Sequence, residues 1–234
     1  MQSVSDGPLA WRRTSGFWRD NGLSLVVFSL FVVTLVAQAL SGFLEHNDER
    51  SAHDEPEITL AAYLTSDHFI EATAENWESE FLQMAMFVLL TISLYQRGSS
   101  ESKELDAPEA VDRDPRKSQK RPGTPWPVVR GGWVLRIYEN SLSLAFIVLF
   151  LVSFWLHAVG GAGEYSADQI AHGEAPVGVL GYLGTARFWF ESFQNWQSEF
   201  LSLAAMVWLS IYLRQRGSPE SKPVDAPHWQ TGEE

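Results

Sequence analysis

At 234 residues, 45% of them hydrophobic, the chain has the overall composition of an ordinary soluble domain. A net charge of -12 and the lack of any basic domain exclude a nucleic-acid partner, and the lack of cysteine excludes disulfides, thiolate metal sites and cysteine nucleophiles. What departs from a soluble domain is where the apolar residues fall.

Residues 1–19 form a polar N-terminal segment carrying Arg12, Arg13 and Arg19. Residues 23–44 then read LSLVVFSLFVVTLVAQALSGFL without a charge, enough at about 1.5 Å per residue to cover the roughly 30 Å hydrocarbon core of a bilayer. The same segment imitates a signal peptide, with Arg12-Arg13 before it and Ala37-Gln38-Ala39 as a cleavage site. Its apolar run exceeds the ~7–15 residues of a signal core, however, so it reads as a span.

Between Glu57 and Arg97 there is neither Gly nor Pro, which predicts a helix that starts outside the membrane and continues as a second, weaker span over 77–95. Gly98 follows as a C-terminal cap. The stretch after it is rich in Pro, Ser and charge, and residues 109–138 are expected to be a disordered linker. Its cluster of Arg113, Arg116, Lys117, Lys120 and Arg121 reads first as a topology determinant and second as a contact for anionic lipid. A third span follows at 141–163 and a fourth at 196–213, with residues 228–234 as a tail.

The two halves are copies at a constant offset of 119 residues. NWESEFLQMAMFVLLTISLYQRGSSESKELDAP at 76–108 aligns without a gap onto NWQSEFLSLAAMVWLSIYLRQRGSPESKPVDAP at 195–227, and the copies extend over 20–108 and 139–227. Each copy holds an even number of spans, so both enter the membrane in the same direction. The expected architecture is therefore an all-α membrane protein of four transmembrane helices, with a pseudo-twofold axis along the membrane normal. Of the 17 Lys and Arg, only Arg50 and Arg187 fall in the loops 45–75 and 164–195, which places those loops outside and both termini in the cytoplasm.

Few polar groups have the placement that chemistry needs. On a helix Asn76 shares a face with Ser79 and Glu80, and Asn195 with Ser198 and Glu199. The two glutamates would lie about a turn inside the outer interface, where an ionisable group is costly and turns towards other helices. Gln38 and His157 are equivalent positions at a similar depth, where a histidine could meet a glutamate. Glu80, Glu199, Asn76, Asn195, Gln38 and His157 make up the candidate intramembrane site. In the outer loops His53-x-Glu55 and His172-x-Glu174 fix no ligand geometry and read as solvated residues, so no metal or cofactor is expected.

The duplicated NWxSEFL and QRGSxESKxxDAP blocks resemble a bacterial family of four-pass membrane proteins of unknown function, over about residues 17–227. The resemblance implies a bacterial inner-membrane address and carries no activity. Without a phosphate loop, a dinucleotide fingerprint or a nucleophile elbow, the sequence reads as non-enzymatic. The leading expectation is a membrane protein that works through helix packing with the bilayer, a partner or a second copy of itself. The alternative is a small channel or transporter for ions, protons or solutes, with the glutamate pair at the interface between copies.

Overall fold

The two uncharged runs are helical throughout, and their helices continue well past them, because the polar residues that follow contain good helix formers and no Gly or Pro. The computed structural model describes residues 16–118 and 120–232. In chain order the helices are α1 (Phe17–Ala52), α2 (Leu60–Tyr63), α3 (Asp67–Leu90), α4 (Trp126–Arg130), α5 (Gly132–Glu139), α6 (Ser141–Ala171), α7 (Val179–Tyr182) and α8 (Ala186–Tyr212). A single 3₁₀ turn lies at Ala110–Asp112, and no strand occurs among the described residues. Two helices are long and apolar enough to cross a bilayer, α1 over Asp20–Ala52 and α6 over its full length. Helices α3 and α8 have sufficient length but begin with charged turns: Asp67, Glu71, Glu75, Glu78 and Glu80 in one, Arg187, Glu191 and Glu199 in the other. They start upstream of the expected spans, and α3 stops at Leu90 rather than 95, where the Thr91 hydroxyl bonds back to the carbonyls of Phe87 and Val88.

The chain forms two compact units, Met1–Leu64 and Thr65–Glu234. In the first, Asn47 on α1 clasps the loop before α2: its side chain donates to the Ile58 carbonyl at 3.1 Å and accepts from the Ile58 amide at 2.8 Å. Gly42 lets the Tyr63 ring lie against the α1 backbone, and Tyr63 is buried. The second unit repeats both devices 119 residues on. Ser166 on α6 bonds the carbonyl and amide of Val177 at 2.8 and 3.0 Å, and Gly161 lets buried Tyr182 lie against the α6 backbone.

Helix α3 packs along α6 and also against α8. The closest approach is at Gly160, where an added Cβ would lie 2.6 Å from the Glu71 amide nitrogen and 2.8 Å from the Asp67 carbonyl oxygen. Across the contact with α8, the Gln83 side chain donates to the Ser202 hydroxyl at 3.0 Å and to the Glu199 carbonyl at 2.8 Å. Gln83 and Ser202 are themselves equivalent positions of the two copies.

The distribution of polarity is inverted. Glu78, Ser79, Ser153, His157 and Ser192 are buried, whereas Leu142, Val148, Leu151 and Val152 on α6 each leave more than half their surface open. A water-soluble domain of this size rarely exposes a contiguous apolar face of that kind.

The segment 109–138, expected to be disordered, carries the 3₁₀ turn, α4 and α5. The apolar periodicity of a packed domain is indeed missing; the order comes from short-range polar bonds instead. Glu109 and Asp112 form a reciprocal capping box, Lys103 pairs with Asp112 at 2.7 Å, and Arg116 pairs with Glu139 at 2.8 Å. The tail is also tied down: the Thr231 hydroxyl accepts from the Gly98 amide, and buried Lys222 donates to the carbonyls of Gly98, Pro227, His228 and Gln230.

Candidate functional site

The buried polar groups of the second unit converge where α3, α6, α7 and α8 meet. Glu71 and Glu78 are seven residues apart on α3, two turns of helix, and so share a face with Glu75 between them. His157 comes from the middle of α6, three residues before the Gly160 approach that brings the two backbones together. Helix α8 contributes Glu191 and Trp196, and α7 ends with Tyr182.

At the centre, His157 and Glu78 are both fully buried and joined by a hydrogen bond of 2.8 Å from Nδ1 to Oε2. The other oxygen of Glu78 accepts from the Trp196 indole at 2.9 Å. With Glu78 as its acceptor, Nδ1 carries a proton. The remaining ring nitrogen, Nε2, is buried without a hydrogen-bond partner and faces Glu191 Oε2 at 3.6 Å. The imidazole stacks on Phe188, centroids 4.8 Å apart, which fixes the ring plane.

Around that nitrogen the carboxylates are held from outside. The Tyr182 hydroxyl donates to Glu191 and lies 3.3 Å from Glu71 Oε1, and the Arg187 guanidinium pairs with the second oxygen of Glu191 at 2.9 Å. Burial, and then the bond to Glu191, push the Tyr182 phenol above its usual range, so it stays a donor. Asn195 bridges Glu75 and the Glu191 carbonyl. The carboxylates of Glu71, Glu75, Glu78 and Glu191 thus gather around one guanidinium and the imidazole of His157.

Of the residues singled out from the sequence, His157 sits at the centre and Asn195 at its edge. Glu80 and Asn76 are exposed on α3, and the Asn76 side chain donates back along its own helix to the Ala72 carbonyl. Glu199 on α8 is half-buried and within electrostatic reach of Glu80 on α3. Gln38 belongs to the first unit, half-buried on α1. The histidine therefore meets a glutamate, but through Glu78 and Glu191 rather than Glu80 and Glu199.

Sequence reasoning passed over Glu71, Glu78, Tyr182 and Glu191 because it favoured positions that the copies share. The cluster is built mainly from positions where they differ: at offset 119, Glu71 faces Phe190, Glu78 faces Gln197, His157 faces Gln38, and Glu191 faces Ala72. That asymmetry was visible in the alignment of the two halves.

Residues 14–233 match the family described as Domain of unknown function (DUF6766), and the chain belongs to that family. No curated protein matches, and no solved structure matches.

Proposed function

We propose that this member of the family is a four-pass bacterial inner-membrane protein, duplicated from a two-helix unit, that acts through polar packing between the spans of its two copies rather than by catalysis. The observation that carries this reading is the bridge from the fully buried pair Glu78–His157 to half-buried Trp196, which ties α3, α6 and α8 together. Water-soluble folds bury apolar groups and expose polar ones, whereas here the exposed face of α6 is apolar and the inter-helix contacts are polar and small, the pattern of helices that associate in lipid. The recurrence of the Asn47–Ile58 clasp as Ser166–Val177, and of Gly42–Tyr63 as Gly161–Tyr182, supports the duplication. Exposed Trp126 and Trp133, with the basic residues between 113 and 121, suit the cytoplasmic interface and anionic lipid.

Topology is the test, and the natural lack of cysteine makes it clean. Single cysteines at Ser51 and Glu174 should react with an impermeant maleimide from outside intact cells, and one at Ser118 only after permeabilisation. Labelling of Ser118→Cys from outside would overturn the orientation.

A second reading, a small cation or solute pathway, is favoured by the Glu80–Glu199 proximity beside the Gln83–Ser202 contact between equivalent positions. Flux in proteoliposomes that disappears in the double variant Glu80→Gln, Glu199→Gln would establish it. Absent flux, or flux indifferent to the substitutions, would exclude it.

A further inference from the structure

The orphaned nitrogen of His157 points to a ligand that the packing reading does not require. We propose that Glu71, His157 and Glu191 bind one divalent first-row transition-metal cation, of the class of Zn²⁺ or Mn²⁺, between α3, α6 and α8.

The donor atoms are already gathered: one from each residue, all within 4.8 Å of one another. A tetrahedral cation about 2.1 Å from two donors holds them roughly 3.4 Å apart, and His157 Nε2 and Glu191 Oε2 are separated by 3.6 Å. The gap is longer than a hydrogen bond and close to the spacing a metal ion would impose. His157 is fully buried, and its Nε2 makes no hydrogen bond and only faces Glu191 Oε2 at 3.6 Å, which leaves it under-satisfied and aimed into the cluster.

The surroundings have the form that supports a metal rather than merely tolerating one. A ligating histidine usually gives its other N–H to a carboxylate, which sets the tautomer and the ring direction, and His157 gives its Nδ1 proton to Glu78. Glu78 is in turn fixed by Trp196. Tyr182 and Arg187 hold Glu191, and Tyr182 also reaches Glu71. Two carboxylates would balance the double charge of the cation.

The donor set selects the class. With one imidazole nitrogen and two carboxylate oxygens, the site lacks the thiolates or thioethers of a Cu(I) site and the six to eight oxygens of a Ca²⁺ site. Three protein ligands also leave a coordination position for water or an exchangeable group. His157 is 16 residues into α6, about 24 Å along the helix from Ser141, so the site lies near the middle of the helix.

The test uses the full chain in detergent, stripped with a chelator and titrated with Zn²⁺ alone and with Co²⁺ alone. One equivalent per chain should bind, Co²⁺ should give visible d–d bands, and X-ray absorption of the Zn²⁺ form should show one imidazole among oxygen ligands. Glu71→Gln and Glu191→Gln should weaken binding at least about 100-fold, and Glu78→Gln, acting through the histidine, about 10- to 100-fold. His172→Gln, a remote exposed histidine, should bind as the unsubstituted chain does. Folding of each variant is checked by circular dichroism and gel filtration, and if a carboxylate variant fails to fold, the absorption spectrum of the unsubstituted protein decides. Sub-stoichiometric binding, absorption without an imidazole ligand, or full affinity in folded Glu71→Gln and Glu191→Gln would overturn the site.

Discussion

Glu78 and His157, 79 residues apart in the chain, are joined at 2.8 Å with neither side chain exposed, and the same carboxylate also receives the Trp196 indole proton. Glu78→Ala would leave two buried donors unpaired, and each orphaned donor costs about 1–3 kcal/mol. Trp196→Phe leaves one buried acceptor, an oxygen of Glu78, unpaired, and should cost about 1–3 kcal/mol beyond the lost packing. Unfolding of the purified protein in mixed micelles should therefore rank Glu78→Ala below Trp196→Phe. Equal stability of the two variants would mean that Glu78 is not the tie between the helices.

The approach of α6 to α3 makes a second, steric prediction. At Gly160 a methyl group would sit 2.6 Å from the Glu71 amide, a backbone atom that cannot rotate away, so Gly160→Ala should force the helices apart and destabilise the fold by about 1–3 kcal/mol. Gly22, in the interior of α1, has nothing within 4 Å of the same position. There Gly22→Ala should gain about 0.5–1 kcal/mol from helix propensity alone. Thermal unfolding of the pair separates packing from propensity, because the two substitutions are chemically identical.

The helices were legible because length and uninterrupted apolar sequence dictate them: the runs at 23–44 and 141–163 lie inside α1 and α6. The order of residues 109–138 was not, since a capping box at Glu109 and Asp112 and an ion pair from Arg116 to Glu139 leave no periodic trace. The site was half legible. His157 stood out as an ionisable residue in an apolar helix, and the acidic block around 76–82 was recognised as its counterpart. Which glutamate turns inwards depends on a rotation of α3 of only two residues, Glu78 against Glu80, and that is set by the close contact at Gly160, a tertiary fact. Residues shared at the offset of 119 include scaffold positions such as Gly42 and Gly161, whereas the buried polar cluster is built mainly from positions where the two halves of the sequence differ.

A further pair of predictions concerns the C-terminal ends of α1 and α6, which differ at the capping residue. Both α1 and α6 finish in the same capping geometry: the amides of Glu55 and Glu174 bond the carbonyls of Arg50 and Gln169, and those of Asp54 and Gly173 bond Ser51 and Ile170. This motif needs a left-handed residue, and the φ angles are +59° at Asp54 and +78° at Gly173. Glycine adopts that conformation freely, whereas a residue with a Cβ is strained there. Asp54→Gly should stabilise the chain by up to about 1 kcal/mol and Gly173→Ala should destabilise it by a similar amount. Matched shifts of opposite sign in the unfolding midpoint would establish the cap; a destabilising Asp54→Gly would show that the aspartate side chain contributes more than its backbone strain.

The last prediction concerns two lysines at equivalent positions, Lys103 and Lys222, which the copies use differently. Lys103 pairs with Asp112 at 2.7 Å near the surface, and that bond raises the lysine above its usual range and lowers the aspartate below its own. Lys222 has no such acid among the described residues: buried among backbone carbonyls, it is pushed below the usual lysine range by burial and then by Arg214. Because the folded-state value of Asp112 is depressed, its contribution is complete above the ordinary aspartate value of about 3.9 and is lost as the pH falls through the lower, folded value. Because that of Lys103 is raised, its contribution is complete below about 10.4 and is lost as the pH rises through the higher, folded value. The clip that holds residues 103–112 should therefore persist across the whole neutral range and open only at the two extremes. Carbon NMR of the Asp112 carboxyl should show a midpoint below 3.9 that moves up towards it in Lys103→Met and also in high salt, which screens a solvent-facing pair. A midpoint unmoved by Lys103→Met would show that the Glu109 amide alone, and not the lysine, holds the aspartate in its charged form.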